Sequence, residues 1–203
     1  MRVKLLGIDG TWRAVANAAN TTIHREDGTR EPTSRWKRRM LMCEHSPIRK
    51  LKISWRWYDL KYWVSTHLVR HKFGIEHFVR SQRTDRTGID RNDLPQGNLV
   101  EHECEANAQA IINISRKRLC KQASKETRQA WQEFLNSIKD SEPELFNACV
   151  PECVYRNGLC PEFKTCGWNH TQTFKQRLAQ YVEGFEKQIS NMGDYSEKTF
   201  SRF

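Results

Sequence analysis

The sequence predicts a domain that mixes helices and strands, and three observations carry that expectation. Leu51, Ile53, Trp55 and Trp57 alternate with Lys52, Ser54 and Arg56. That period of two places four apolar side chains on one face of a sheet. Trp131, Phe134, Leu135 and Ile138 stand at i, i+3, i+4 and i+7, the stripe of an amphipathic helix. Finally, 203 residues with 37% hydrophobic and 29% charged side chains suffice for a core without disulfides and are too apolar for a disordered chain.

The elements follow in order. Val3 to Ile8 is a short apolar run ended by Asp9-Gly10, a strand and turn. Thr11 is placed to cap a helix reaching Ala19. The polar stretch His24 to Ser34 reads as a loop, Arg35 to Cys43 as a basic helix, and Lys61 to Arg70 as a second helix after the Trp strand. Arg80 to Asn98 reads as a long surface loop, a length that often carries function. Glu105 to Leu119 reads as a buried helix in which Asn107 and Arg118, eleven apart, share one azimuth. Ser124 is a candidate cap for the next helix. Cys149 to Trp168 is a Cys-, Pro- and Gly-rich knot. A last helix over Thr171 to Ile189 aligns Phe174, Leu178, Tyr181, Val182, Phe185 and Ile189. Residues 1–148 are expected to form the main domain, with 149–203 a Cys-rich knot and helix packed on it.

The formal net charge of +10 favours an anionic partner, whether nucleotide, flavin phosphate or nucleic acid. No apolar run approaches the roughly 20 residues of a membrane span, and the first thirty residues carry polar groups where a leader needs an apolar stretch. A cytoplasmic location is expected, and the seven cysteines then read as free thiols or metal ligands.

Three groups of residues have the chemistry to bind a ligand. Arg70-His71-Lys72 follows a helix; three such groups in a row suit a phosphate, or simply end a helix in solvent. Arg80-Ser81-Gln82-Arg83 offers a hydroxyl, backbone N–H groups and two guanidinium groups, which suit a monophosphate or form a basic turn. Asn107, Gln109, Asn113, Arg116 and Arg118 need partners if buried, and those partners are either protein groups or the ring edges of a ligand.

Taken in order, these segments resemble the flavin-dependent thymidylate synthase (ThyX) family. Arg70-His71-Lys72 resembles its Arg-His-Arg signature, and Ser81-Gln82-Arg83 the Ser-x-Arg that closes that motif. Asn107-Ala108-Gln109, Asn113 and Arg118 match its later Asn-Ala-Arg, Asn and Arg at the same spacings. Glu44-His45-Ser46-Pro47 resembles its His-x-Ser/Thr-Pro segment, although Ile48-Arg49-Lys50 stands where the family has Phe-Glu-His. The similarity runs over roughly residues 14 to 148. It implies an α/β (α+β) fold with a central sheet flanked by helices, a homotetramer, and FAD as cofactor. The implied reaction moves a one-carbon unit from methylenetetrahydrofolate to C5 of dUMP, with NADPH as reductant. Arg70, His71 and Lys72 would contact FAD, and Asn107, Gln109 and Asn113 would hold the flavin or its adenylate. Ser81, Gln82 and Arg83 would grip the dUMP phosphate. Arg118, the main catalytic candidate beside Arg83, would stabilise charge developing on the uracil ring.

Cys153, Cys160 and Cys166, with Cys149, His170 or Cys120 as a fourth ligand, form a candidate zinc or iron–sulfur site outside the family pattern. Close alternatives to the main reading are dUMP hydroxymethylation and action on dCMP. A more distant one is a basic nucleic-acid-binding protein built around a metal knot; against it, acidic residues interleave with basic ones and no long Lys/Arg block occurs.

Overall fold

A computed structural model describes residues 1–186 of the chain. The Phe185 and Ile189 positions of the expected last-helix stripe fall outside the described side chains. The order is β1 (Arg2–Asp9), α1 (Trp12–Thr21), α2 (Ser34–Met42), β2 (Lys52–Lys61), α3 (Tyr62–Leu68), β3 (Ile75–Val79), α4 (Thr84–Thr87) and β4 (Leu99–Asn107). Then come α5 (Ala108–Arg118), α6 (Lys125–Ile138), α7 (Pro143–Ala148), α8 (Glu152–Tyr155) and α9 (Gln172–Glu186). The strands form one antiparallel sheet in the order β1-β2-β4-β3. The mixed α/β class read from the sequence is the class observed.

Two readings are corrected. The segment Glu105 to Leu119 is not one helix: β4 runs to Asn107, and α5 begins only at Ala108. Asn107 is therefore the N-cap, its Oδ1 accepting from the Ala110 N–H at 2.9 Å. The expected loop over 80–98 contains α4 and a 3₁₀ turn at Arg91–Asp93.

The core lies where the two sequence patterns meet. Trp55 and Trp57 on β2 and Trp131 and Phe134 on α6 are all fully buried. Trp55 stacks on Phe134 at 3.7 Å between ring centroids. Each buried aromatic of this size contributes about 1.5–3 kcal/mol through the apolar area it removes from water. Two indole N–H groups are satisfied inside the core, Trp57 Nε1 by the Ala130 carbonyl at 2.9 Å and Trp131 Nε1 by Ser115 Oγ at 2.8 Å. The alternate residues of β2 and β4 point the other way and pair across the strands, Arg56 with Glu103 and Lys52 with Glu105. This pairing holds the register, because a slip of one residue would bury the charges and expose the tryptophans. Thr11 and Ser124 cap α1 and α6 as expected, accepting from the Ala14 and Thr127 N–H groups.

Beyond α7 a second, smaller apolar cluster gathers Val150, Cys153, Val154 and Phe174, with Trp168, Leu178 and Tyr181 packed against it. Among the described residues no helix is long and apolar enough to cross a membrane.

Candidate functional site

The turn between α3 and β3 carries Arg70-His71-Lys72. It begins as α3 ends, with the His71 N–H donating to the Leu68 carbonyl. It closes at Gly74, whose φ of +72° and close approach to Asn107 both require glycine. A Cβ there would lie 2.5 Å from Asn107 Nδ2. The Gly74 carbonyl accepts from the Asn107 N–H at 2.9 Å, so this turn is fastened to the start of α5.

The other end of α5 returns to the same turn. Arg118 donates through Nε to His71 Nε2 at 2.8 Å and through a terminal nitrogen to the His67 carbonyl at 2.5 Å. Since Nε2 of His71 accepts, its ring proton is on Nδ1 and the ring is neutral. Burial first, then the Arg118 cation, hold His71 down at about 4. Arg118 is itself pushed below the usual guanidinium range by burial and by Arg70. Among the described residues it has no carboxylate partner. A part-buried cation beside a second cation, with its donors fixed by protein acceptors, is an arrangement for binding an anion. Arg70 and Lys72 are exposed at its edge.

The structure thus joins His71 and Arg118, which are 47 residues apart in sequence, and brings Asn107 to the same turn. It gives Gln109 and Asn113 protein partners. Gln109 Nε2 donates to Glu44 at 2.6 Å, and Asn113 Oδ1 accepts from both Gln109 and Arg116. Arg116 also pairs with Glu44 and lies over the Tyr155 ring at 3.5 Å. Among the described residues Ser81 and Arg83 make local side-chain contacts: Ser81 Oγ accepts from the Arg83 N–H, and Arg83 forms a two-pronged pair with Asp85. Between them Gln82 is half-buried, and its Nε2 is buried with no hydrogen-bond partner among the described residues.

Sequence reasoning named Glu44 in the Glu44-His45-Ser46-Pro47 segment without giving it a role, and passed over His67. The signal of Glu44 in the sequence is that it opens that segment, and in the structure it stands at a positive φ of 48°. His67 acts through its backbone carbonyl, which no side-chain pattern reveals.

The cysteines separate into groups. Cys120, Cys153, Cys160 and Cys166 line one small cavity with Glu152, Trp168 and Asn169. Cys149 is buried and faces a different cavity of about 740 Å³. His170 is exposed and lines neither. Of the three candidate fourth ligands, Cys120 is the one beside Cys153, Cys160 and Cys166. Burial raises the thiols of Cys120 and Cys153, the latter to about 11. The larger cavity is basic, with Lys121, Lys125, Arg128 and Arg177 around Trp168, and none of the motif residues lines it.

No protein-family model matches the chain. A stretch of 62 residues is 40% identical to a flavin-dependent thymidylate synthase of Clostridium tetani (strain Massachusetts / E88). That stretch covers 30% of this chain, and the chain spans only 24% of the relative's length. Among solved structures, ThyX from Helicobacter pylori complexed with FAD and dUMP superposes with a TM-score of 0.61 at 12% identity, over 74% of this chain and 100% of that one. A UMP/dUMP methylase, PolB, from Streptomyces cacaoi bound with 5-Br dUMP gives 0.58 at 15% identity, over 72% and 93%. The chain therefore has the fold that the sequence resemblance implied.

Proposed function

We propose that this protein is a flavin-dependent enzyme that transfers a one-carbon unit from methylenetetrahydrofolate to C5 of dUMP. The observation that carries the reading is the Arg118–His71 pair. A part-buried guanidinium without a carboxylate partner stands beside Arg70, in the two motifs that resemble ThyX. Two of the neighbours that share the fold, one described with dUMP and the other with 5-Br dUMP, support a pyrimidine nucleotide as the ligand.

The residues present fit FAD and a nucleotide monophosphate. Gln82 Nε2 is a buried donor without a partner among the described residues, as expected where a ligand oxygen completes the site. Arg70 and Lys72 supply exposed cations for phosphate oxygens. Gln109 Oε1 and Asn113 Nδ2 make no hydrogen bond among the described residues, which leaves each amide one atom for a ring edge. Bound FAD would supply the redox step and the relay of the one-carbon unit, with NADPH as hydride source.

The chain's own residues do the rest. Arg118 holds positive charge where a uracil carbonyl gains negative charge as C5 becomes nucleophilic, the preorganised electrostatic role. His71 accepts from Arg118 and so aims it. Ser81, Gln82 and Arg83 bind the phosphate of dUMP, with Arg83 exchanging Asp85 for the phosphate. Assembly as a homotetramer would bring turns from several subunits to one site.

The first test is the visible absorption spectrum of purified protein before and after addition of FAD and desalting, followed by FAD- and NADPH-dependent turnover of dUMP. Retained flavin with thymidylate as product is expected. Protein that retains no flavin under either condition overturns the proposal. Turnover of dCMP, or a hydroxymethylated product, would move the reaction to the neighbouring alternatives.

The Cys120, Cys153, Cys160 and Cys166 cavity supports a structural zinc ion in the appendage. Among the described residues no three of these sulfurs lie within 4.8 Å of one another, so a bound ion would have to draw them together. Four thiolates would then complete a closed tetrahedral site, and the metal would offset the cost of ionising them. Metal analysis of Cys160→Ser/Cys166→Ser against wild type should show the loss of one zinc equivalent. A brown chromophore instead would assign an iron–sulfur cluster, and equal zinc in both proteins would refute the site.

A further inference from the structure

A second group of ligand-type side chains stands apart from the cysteine knot. β3 and β4 pair so that His77 lies opposite Cys104, and His102 is two residues before Cys104 on the same face of β4. His102 and Cys104 are fully buried, and His77 is half-buried. Their donor atoms form a tight triangle. His77 Nδ1 is 3.0 Å from His102 Nε2, and Cys104 Sγ is 3.2 Å from His77 Nδ1 and 3.3 Å from His102 Nε2.

The outer nitrogens of both rings are already held. His77 Nε2 donates to the His71 carbonyl at 2.8 Å, so its Nδ1 carries a lone pair rather than a proton. His102 Nδ1 is 3.1 Å from Ser65 Oγ. A ring nitrogen engaged by a carbonyl or hydroxyl, with the other nitrogen turned to a shared point, is how metal-binding histidines are oriented.

Hydrogen bonding can serve the two rings, with His102 Nε2–H donating to His77 Nδ1, but it leaves the Cys104 thiol without a lone pair of its own in the triangle. The inner atoms can place only two protons in it, one on His102 Nε2 and one on Cys104 Sγ. Both would converge on the single lone pair of His77 Nδ1. If the thiol turns to His102 instead, two ring lone pairs face each other at 3.0 Å. A cation at the centre uses all three lone pairs at once. With zinc–nitrogen bonds of about 2.0–2.1 Å and a zinc–sulfur bond of about 2.3 Å, tetrahedral angles place the nitrogens about 3.4 Å apart and each nitrogen about 3.6 Å from sulfur. Each edge of the observed triangle needs to open by no more than about 0.4 Å.

We propose that His77, His102 and Cys104 bind a zinc ion that pins β3 to β4 beneath the Arg70-His71-Lys72 turn. Two neutral imidazoles and one thiolate suit a borderline-soft divalent ion, and three protein ligands leave a fourth position for water. On binding, the Cys104 thiol passes its proton to solvent and a sulfur–zinc bond forms. His102 carries its ring proton on Nδ1, donated to Ser65, so that Nε2 is free to ligate. The ion also holds the turn, because His77 is bonded to the His71 carbonyl and the His71 ring receives Arg118. The site rests on this geometry and on no reading of the reaction.

The test uses the full chain, stripped with a chelator and then titrated with zinc chloride. Histidine side-chain ¹⁵N spectra follow His77 Nδ1 and His102 Nε2. Both are expected to move to metal-bound shifts, with the His102 proton found on Nδ1. Metal analysis should show one zinc equivalent fewer in Cys104→Ser than in wild type, while Cys160→Ser/Cys166→Ser retains this one. Should Cys104→Ser fail to fold, the wild-type spectra decide the matter alone. Ring nitrogen shifts that ignore zinc, with the proton staying on His102 Nε2, would overturn the proposal and leave a metal-free relay from Ser65 to the His71 carbonyl. Neither readout needs flavin or nucleotide.

Discussion

Replacing Arg118 with alanine tests the core of the proposed site. The side chain is part-buried, and its directed N–H groups are held by His71 Nε2 at 2.8 Å and the His67 carbonyl at 2.5 Å. A cation and an anionic oxygen about 4 Å apart interact by about 4 kcal/mol at an effective dielectric of about 20. Loss of one preorganised donor of this kind typically costs about 10²–10³ in kcat. Arg118→Ala should therefore retain FAD while losing at least about a hundredfold in turnover of dUMP. Arg118→Lys should recover only part of this, since lysine returns the charge without the planar fork. A second readout is independent of turnover. His71 is held at about 4 by burial and by this cation, so its pKa in Arg118→Ala should rise toward the ordinary histidine value, measured by NMR titration. Wild-type turnover together with an unmoved His71 would refute the reasoning.

Two further outcomes follow from the same geometry. Gly74→Ala places a methyl group 2.5 Å from Asn107 Nδ2 at a φ of +72°; it should cost about 1–3 kcal/mol, read as a lowered urea midpoint, and loosen the N-cap of α5. Glu142 is buried and accepts from Trp12 Nε1 at 2.8 Å, and burial holds its carboxyl above the ordinary value of 4.5. Between the unfolded and folded pKa the folded state binds more protons, so stability from this group falls as pH rises through that window. The melting temperature of Glu142→Gln should gain on wild type as pH rises from about 4 and level off once the folded-state carboxyl has ionised; a gap independent of pH would contradict the assignment.

Much of the fold was legible where residue type and period agreed. The β2 alternation is carried by Leu, Ile and Trp, good strand formers, and the α6 stripe by four large apolar residues. β4 alternates just as regularly, with Val100, His102, Cys104 and Ala106 inward and Glu101, Glu103 and Glu105 outward. Apart from Val100, its inward residues are not favoured strand formers, which is why a helix was read across Asn107. The site was legible as motifs and not as contacts. The spacing of Asn107, Asn113 and Arg118 pointed to the right helix. That Arg118 meets His71, and that Gln109 meets Glu44, depends on chain crossings 47 and 65 residues long, which local pattern does not encode. His77, His102 and Cys104 escaped notice for the same reason, since strand pairing alone unites them.

α5 has a consequence for how the molecule comes apart. Its Arg116 joins Glu44, at the end of α2, to Tyr155 of α8, and its Lys117 reaches Glu152. One helix thus ties the end of α2 to the segment around α8. A cut after residue 148 would leave Arg116 half-stripped of its cover and strand the smaller apolar cluster. The segments on either side of residue 148 should therefore melt in a single cooperative transition.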